Sequence, residues 1–177
     1  MMDEWVPVGG RFYCLFLALL LASRGADFVS TWIATPNLVL EGNPMAKKLG
    51  WKWGSLLNLV LCGVLAAWPL AAIIIGTTSV LVAARNFQAA WLMRSLGEDN
   101  YRDWYVEQLR QTNLPIYLFC LLAQALLTAL VGGALMYFSQ EGLIPFAIGF
   151  GIIGYALAVT FYTLLSLWRS RRGVGGK

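Results

Sequence analysis

Long apolar runs alternate with short polar segments along the chain, and this pattern predicts membrane-spanning helices. Four runs stand out, at residues 12–34, 54–84, 114–138 and 144–168. An α-helix rises about 1.5 Å per residue and the hydrocarbon core of a bilayer is about 30 Å thick, so about 20 apolar residues cross it. We therefore expect an all-α fold in which residues 1–177 form a single membrane domain, a polytopic transmembrane bundle of four helices.

The second run is too long for a simple span. As one helix, residues 54–84 would measure about 46 Å and exceed the hydrocarbon core. One interpretation is a helix that kinks at Pro69, because proline removes a backbone hydrogen bond. The alternative is a hairpin that turns at Pro69. The residues around Pro69 are apolar, so a turn exposed to lipid there would find no polar side chain to satisfy its backbone groups. This favours the single helix. We expect this helix to continue to residue 96 as a cytoplasmic extension that ends at Gly97.

The polar stretch before the third run predicts a short amphipathic helix over about residues 100–112. Tyr101, Trp104 and Tyr105 fall on one face of this helix, and the charged residues fall elsewhere around it. A helix with an aromatic face and a charged remainder is typical of a segment that lies on a membrane surface. We therefore expect an interfacial helix between the second and third spans.

The composition supports a membrane location and narrows the chemistry. Of the 177 residues, 59% are hydrophobic and 12% are charged, whereas soluble domains are about 25% charged. The sequence contains no histidine, which excludes histidine-ligated haem and nucleophiles that a histidine activates. The three cysteines lie far apart in apolar runs, as buried thiols do. We expect no cofactor, no catalytic residue and a protein that is not an enzyme, and we leave a metal site open.

Basic residues predict how four spans would be oriented. Nine of them fall on the side that would hold both termini, and three, Lys47, Lys48 and Lys52, fall in the loop after the first span. Lys and Arg are enriched in cytoplasmic segments, so we expect a multi-pass protein of the prokaryotic cytoplasmic (inner) membrane with cytoplasmic N and C termini. The basic cluster at residues 169–172 suits contact with anionic lipid, and we expect no nucleic-acid partner.

Small residues recur at helical spacing in the last two spans, which predicts close helix packing. The third span carries Ala125, Ala129 and Gly133, and the fourth carries Ala147, Gly151, Gly154 and Ala158. These stripes either pack within one subunit or contact a membrane-protein partner or a second copy of the chain.

Polar residues interrupt the far half of the first span. Arg24, Asp27 and Thr31 share one helical face, and Ser30 lies beside it. A charge at this depth costs about 2.5 to 3.5 kcal/mol on insertion scales, so the face should point away from lipid, and Arg24 and Asp27 should partly neutralise each other. Counting along the spans places Asn58 and Thr128 at a depth comparable to that of Asp27, and Gln124 also reaches the middle of the membrane. Glu41 and Asn43 lie in the loop just above, from which we expect them to fold down onto this cluster.

Two segments of this region form a recognisable pattern. The chain reads Asp27-Phe28-Val29-Ser30-Thr31 and then Glu41-Gly42-Asn43-Pro44. The pattern resembles a signature of small prokaryotic multi-helix membrane proteins, Asp-x-x-Ser/Thr-Thr near the end of the first helix followed by Glu-x-Asn-Pro, for which no activity is established. The resemblance covers about a quarter of the chain. It implies that these polar residues and Pro44 act as a unit, without implying what the unit does.

Three functions are compatible with this cluster. The first is a non-catalytic accessory, scaffold or assembly subunit of a larger membrane complex, in which the cluster pins the helices and the loop. The second is a small ion or polar-solute transporter or binding protein that acts as a homo-oligomer, because oxygen ligands suit a hard ion. The third is an intramembrane enzyme with Asp27 or Glu41 as its acid or base. We favour the first, because the sequence suggests no nucleophile–base pair.

Overall fold

The computed structural model describes residues 5–139 and 142–172 of the chain, and these residues form helices with no β-strand among them. The helices are α1 Arg11–Ala34, α2 Pro44–Leu65, α3 Pro69–Leu96, α4 Glu98–Gln111, α5 Leu114–Tyr137 and α6 Leu143–Arg172. Four of them, α1, α3, α5 and α6, are long and apolar enough to cross a membrane. Large apolar side chains cover the outside of the bundle, as on α5, where Leu126, Leu127 and Leu130 are exposed. The chain is therefore an all-α protein with four helices suited to span a bilayer.

The second apolar run is two helices, so the predicted single helix over residues 54–96 is wrong, and the alternative, a turn at Pro69, is what the structure has. The second of these helices does continue to Leu96. Helix α2 ends at Leu65, and α3 begins at Pro69, where the missing N–H would have had no helical partner in any case. The turn between them is satisfied by the chain itself. The Ala66 N–H donates to Cys62 within α2, and the Ala67 carbonyl accepts the Val6 N–H at 2.9 Å. A turn whose backbone N–H and C=O groups are hydrogen-bonded within the protein does not need water.

Helix α2 also begins earlier than predicted. Asn43 caps it, because its side-chain oxygen accepts the Met45 N–H at 3.0 Å, and Pro44 occupies the first helical position. The helix bends at Gly50, whose φ of 64° and ψ of −173° are outside the helical region. Only glycine adopts that combination readily. Residues 44–53, the second half of the loop expected between the first two predicted spans, are therefore helical.

Contacts between the helices fix their directions. Helix α2 runs antiparallel to α1, because the Tyr13 hydroxyl donates to the Gly63 carbonyl at 3.0 Å and the Phe28 and Trp51 rings lie 6.0 Å apart. Helix α3 runs parallel to α1, since Leu19 lies beside Gly76 near their starts and Thr35 bonds to Glu98 beyond their ends. Helix α6 runs parallel to α3, with Thr78 bonded to Gly151 and Arg85 to Thr163.

These directions place the start of α1 and the end of α6 at opposite ends of the bundle. The end that holds the loop at residues 35–43 and helix α4 is called the Glu98 end below. The end that holds the turn at residues 66–68 and the start of α6 is called the Pro69 end. A membrane crossed along the bundle axis would have the start of α1 on one side and the end of α6 on the other. The arrangement predicted with both termini in the cytoplasm did not include this return of α2 along α1, and the side of the membrane that each terminus faces stays a prediction.

Helix α6 packs between α5 and α3 through glycines. A Cβ added to Gly149 would lie 2.5 Å from the Gly132 carbonyl oxygen of α5, and one added to Gly151 would lie 2.8 Å from the Ile74 carbonyl oxygen of α3. The backbones therefore touch on two faces of α6. The predicted α6 stripe packs within the chain at Gly151. On α5 the contact residue is Gly132, whereas an added Cβ at Gly133 would meet nothing within 4 Å.

Helix α4 lies where the short amphipathic helix is expected. Its Tyr105 hydroxyl is 3.2 Å from the Tyr117 hydroxyl of α5, and Leu109 is buried. Trp104 remains 45% exposed. The aromatic face is therefore divided between contacts with the bundle and the outer surface.

Candidate functional site

Arg24 joins three helices through its guanidinium group. It donates to Asp27 on its own helix at 2.9 Å, to Asn58 on α2 through Nε at 2.8 Å and also through Nη2, and to Ser79 on α3 at 3.2 Å. Asn58 is held in turn, since its amide donates to the Gly54 carbonyl at 2.9 Å. One cation therefore connects the middle parts of α1, α2 and α3, and its position explains why α2 stays beside α1 and α3.

The charges of this cluster are largely withdrawn from the surface. The Arg24 and Asp27 side chains are 29% and 17% exposed. The ion pair and the hydrogen bonds offset the free energy of burying these charges, since an unpaired charge in a membrane helix costs about 2.5 to 3.5 kcal/mol on insertion scales. Arg24 thus holds α1, α2 and α3 together through polar contacts inside an apolar bundle.

A second polar layer lies one to two turns further along α1. The Ser30 hydroxyl donates to the Asp27 carbonyl at 2.8 Å. The Asn86 amide of α3 donates to the Ser30 and Thr31 hydroxyls at 3.3 and 3.2 Å. Ser30 is fully buried. Together with the Arg24–Ser79 bond, this layer makes a continuous polar seam between α1 and α3.

Glu41 and Asn43 shape the start of α2. The Glu41 carboxylate accepts the Asn43 N–H at 2.7 Å, and Asn43 caps the helix. Glu41 lies close enough to Asp27 for its charge to act on that carboxylate. The Glu-x-Asn-Pro segment therefore fixes where α2 begins, while the Asp-x-x-Ser-Thr segment holds α1 against its neighbours.

Gln124 and Thr128 lie apart from this cluster. Both are on α5, where the Thr128 hydroxyl donates to the Gln124 carbonyl at 2.9 Å. With Tyr155 and Thr160 they line a cavity of about 10 Å³ between α5 and α6, which is about the space that one water molecule needs. The structure does not bring them together with Arg24.

Sequence reasoning missed the α3 side of the seam. Ser79 and Asn86 are seven residues apart, which places them on one face of α3 two turns from each other. That spacing within an apolar run was the available signal. It was obscured because α3 was expected to be the second half of a longer helix.

Glu98, the first residue of α4, holds the α1–α2 loop. Its carboxylate accepts the Thr35 hydroxyl at 2.6 Å, the Asn37 N–H at 2.8 Å, the Asn37 side-chain amide at 2.9 Å and the Val39 N–H at 3.0 Å. Burial acts to raise the pKa of Glu98, but the bonds from Thr35, Asn37 and Val39 outweigh it and hold the pKa below its usual value. The structure thus contains a carboxylate latch that ties α1, through its loop, to the α3–α4 junction.

We expect Glu98→Gln to destabilise the protein by about 1 to 3 kcal/mol at neutral pH, since it removes a charged acceptor from several donors. A carboxyl group whose folded pKa is lowered stabilises above its unfolded pKa, and that stabilisation is lost as pH falls through the folded pKa. Thermal unfolding in detergent should therefore show a gap between wild type and Glu98→Gln at pH 7 that closes in strong acid. Glu107→Gln is the matched control, because Glu107 is 53% exposed and its contacts, with Arg110 at 3.7 Å and with the Gln111 side chain at 2.9 Å, stay within one turn of α4. An equal effect of both variants would contradict the latch.

Among the described residues, no group of three or more His, Cys, Asp or Glu residues is placed to hold a metal ion. Comparison of the chain with family models, with curated proteins and with solved structures finds no match. The chemistry of the site therefore has to be argued from its own residues.

Proposed function

We propose that the chain is a non-catalytic integral membrane protein, an accessory, scaffold or assembly subunit of a larger membrane complex. The observation that carries this proposal is the use made of Arg24. Its N–H groups donate to Asp27, Asn58 and Ser79, which belong to three different helices. Groups engaged in this way hold helices together and have little capacity left for a substrate.

The outer surface supports the same proposal. Trp91 near the end of α3 is 67% exposed, and Trp104 of α4 is also exposed. Large aromatic residues at the end of a bundle suit the membrane interface and the contacts of membrane-protein partners. The described part of the chain therefore combines an interior in which hydrogen bonds connect the helices with an apolar and aromatic exterior.

Purification from native membranes in a mild detergent tests the proposal. We expect a membrane protein to co-purify reproducibly with the full chain, and we expect Trp104→Ala to weaken its recovery. Trp53→Ala is the matched control, since Trp53 is an exposed tryptophan on α2 rather than α4. A lone monomer in cross-linked and untreated membranes alike would contradict the proposal.

The second candidate is an ion-binding or polar-solute protein, and one observation favours it. Asp27 and Glu41 act on each other electrostatically, while Arg24 is the cation that pairs with Asp27. A bound cation would balance the remaining negative charge. Asp27→Asn and Glu41→Gln should then each abolish solute flux in vesicles that show it, and unchanged flux in both would remove this candidate.

We further propose that the Glu98 end faces the cytoplasm of a prokaryotic cell and that the Pro69 end faces outward. Because α2 returns the chain, the lysines that follow residue 43 join most of the arginines at the Glu98 end. The basic residues near that end are Lys47, Lys48, Lys52, Arg85, Arg94, Arg102, Arg110, Arg169, Arg171 and Arg172. At the Pro69 end, Arg11 is the basic residue among those described. Lys177 lies outside the described residues. This asymmetry is what cytoplasmic segments show.

A further inference from the structure

Two arginines of the described residues, Arg24 and Arg85, are half-buried in the helical bundle, and Arg85 is the one that pairs with no carboxylate. Arg24, Arg102 and Arg110 each pair with a carboxylate, and Arg94 lies over the Trp32 ring at 6.0 Å. Arg85 is half-buried on α3 and, within the described residues, has neither kind of partner. Its single hydrogen bond, from Nη2 to the Thr163 hydroxyl of α6, is long at 3.5 Å. The guanidinium carries five N–H donors, so most of them remain available.

A pair of tyrosine hydroxyls lies near Arg85, in addition to the Thr163 hydroxyl. Tyr105 of α4 and Tyr117 of α5 bring their hydroxyls within 3.2 Å of each other. Tyr105 lies close enough to Arg85 to feel its charge. Burial raises the pKa of Tyr105, the bond with Tyr117 raises it further, and Arg85 acts in the opposite direction. The phenol therefore stays protonated at physiological pH and can donate a hydrogen bond.

This group lies toward the Glu98 end of the helices suited to span a membrane, where we expect the membrane surface. Tyr117 is in the first turn of α5, directly after the amphipathic α4, and Thr163 is shortly before the end of the apolar part of α6. Other basic residues, such as Arg169, lie at the same end of the bundle. A cation without a counter-ion at this level costs free energy, and an anion from the interface would lower it.

We propose that Arg85, Thr163 and the Tyr105–Tyr117 pair form a binding site for a phosphate group, supplied by the head group of an anionic phospholipid or by free phosphate. The guanidinium fork matches two phosphate oxygens, and the hydroxyls of α4, α5 and α6 donate to the oxygens that remain. A ligand held in this way would join four helices at the Glu98 end, much as Arg24 joins three within the bundle. This inference is independent of the proposed role as an accessory subunit.

Native mass spectrometry of the delipidated full chain tests the site, with three probes added separately. These are phosphatidylglycerol, a glycosyl diacylglycerol with the same acyl chains but no phosphate, and inorganic phosphate. We expect wild type to retain phosphatidylglycerol at least about tenfold better than Arg85→Gln, because a charge-assisted bidentate contact is lost. Retention of the phosphate-free lipid should be the same in both. Retention of inorganic phosphate that depends on Arg85, without that of the lipid, would identify free phosphate as the source.

Arg110→Gln is the matched control, because Arg110 lies on α4 at the same end but is 56% exposed and pairs with Glu107. It should retain phosphatidylglycerol like wild type, whereas Arg85→Lys should retain an intermediate amount because the charge remains. If Arg85→Gln yields no folded protein, Tyr117→Phe replaces it, with an expected loss of a few-fold. Equal retention of every phosphate probe by wild type and by the Arg85 or Tyr117 variant would overturn the proposal.

Discussion

Arg24→Leu is expected to destabilise the protein by about 2 to 4 kcal/mol, and Arg24→Leu combined with Asp27→Leu is expected to cost less than the single change. The single variant leaves the mostly buried Asp27 carboxylate without its cation, and an unpaired buried charge costs more than the loss of the whole pair. It also removes the donors that hold Asn58 of α2 and Ser79 of α3. The double variant removes the charge imbalance and leaves only those neutral groups to find new partners.

Unfolding by a denaturing detergent in mixed micelles measures this difference. The control is Arg102→Leu, because Arg102 is 51% exposed and its contacts with Asp99 and Asp103 are both 3.4 Å long. Exposed pairs of this kind contribute little, so its effect should stay below about 1 kcal/mol. Equal losses in the single and double Arg24 variants would show that Asp27 does not depend on Arg24 for its charge balance.

Gly149→Ala is the second change from which we expect a large effect, a destabilisation of about 2 to 3 kcal/mol. Its Cβ would lie 2.5 Å from the Gly132 carbonyl oxygen and 2.7 Å from Met136 Cγ, and backbone on the facing helix cannot move aside as a side chain can. Helices α5 and α6 would have to separate and lose contact along their length. The reciprocal change, Gly132→Ala, should have a similar effect, since its Cβ would lie 2.6 Å from the Gly149 oxygen.

Gly133→Ala provides the comparison in the same helix. An added Cβ there meets nothing within 4 Å, and alanine favours a helix by up to about 1 kcal/mol over glycine. We therefore expect Gly133→Ala to be neutral or mildly stabilising in the same unfolding assay. If Gly133→Ala lowered the stability as much as Gly149→Ala, the packing of α5 on α6 described above would be contradicted.

The apolar runs predicted most of the helices, because a helix that faces lipid is set by its own sequence. The predicted spans 12–34 and 114–138 correspond closely to α1 and α5. The turn before Pro69 was not predictable in this way. Its polar groups are satisfied by Val6, which is far away in the sequence, and by α2. Local composition argued against a turn, and only the tertiary contacts make it possible.

The candidate site was predictable where its members share a helix and not where they meet across helices. The Arg24–Asp27 contact follows from a spacing of three on α1. Its other partners belong to α2 and α3, and their register depends on the turn at Pro69. Glu98 shows the same limit, since its donors Thr35, Asn37 and Val39 lie about sixty residues earlier. No spacing along the sequence indicates these contacts of Glu98.

The return of α2 along α1 is the feature on which the whole arrangement depends, and labelling of single cysteines tests it most directly. In a chain without its native cysteines, Val8→Cys, Lys48→Cys and Asp99→Cys are probed with a membrane-impermeant maleimide in intact and in opened cells. All three positions are exposed. Our account predicts that Lys48→Cys and Asp99→Cys behave alike and that Val8→Cys is reached from the opposite side. Labelling of Lys48→Cys together with Val8→Cys, or from the side opposite to Asp99→Cys, would contradict it.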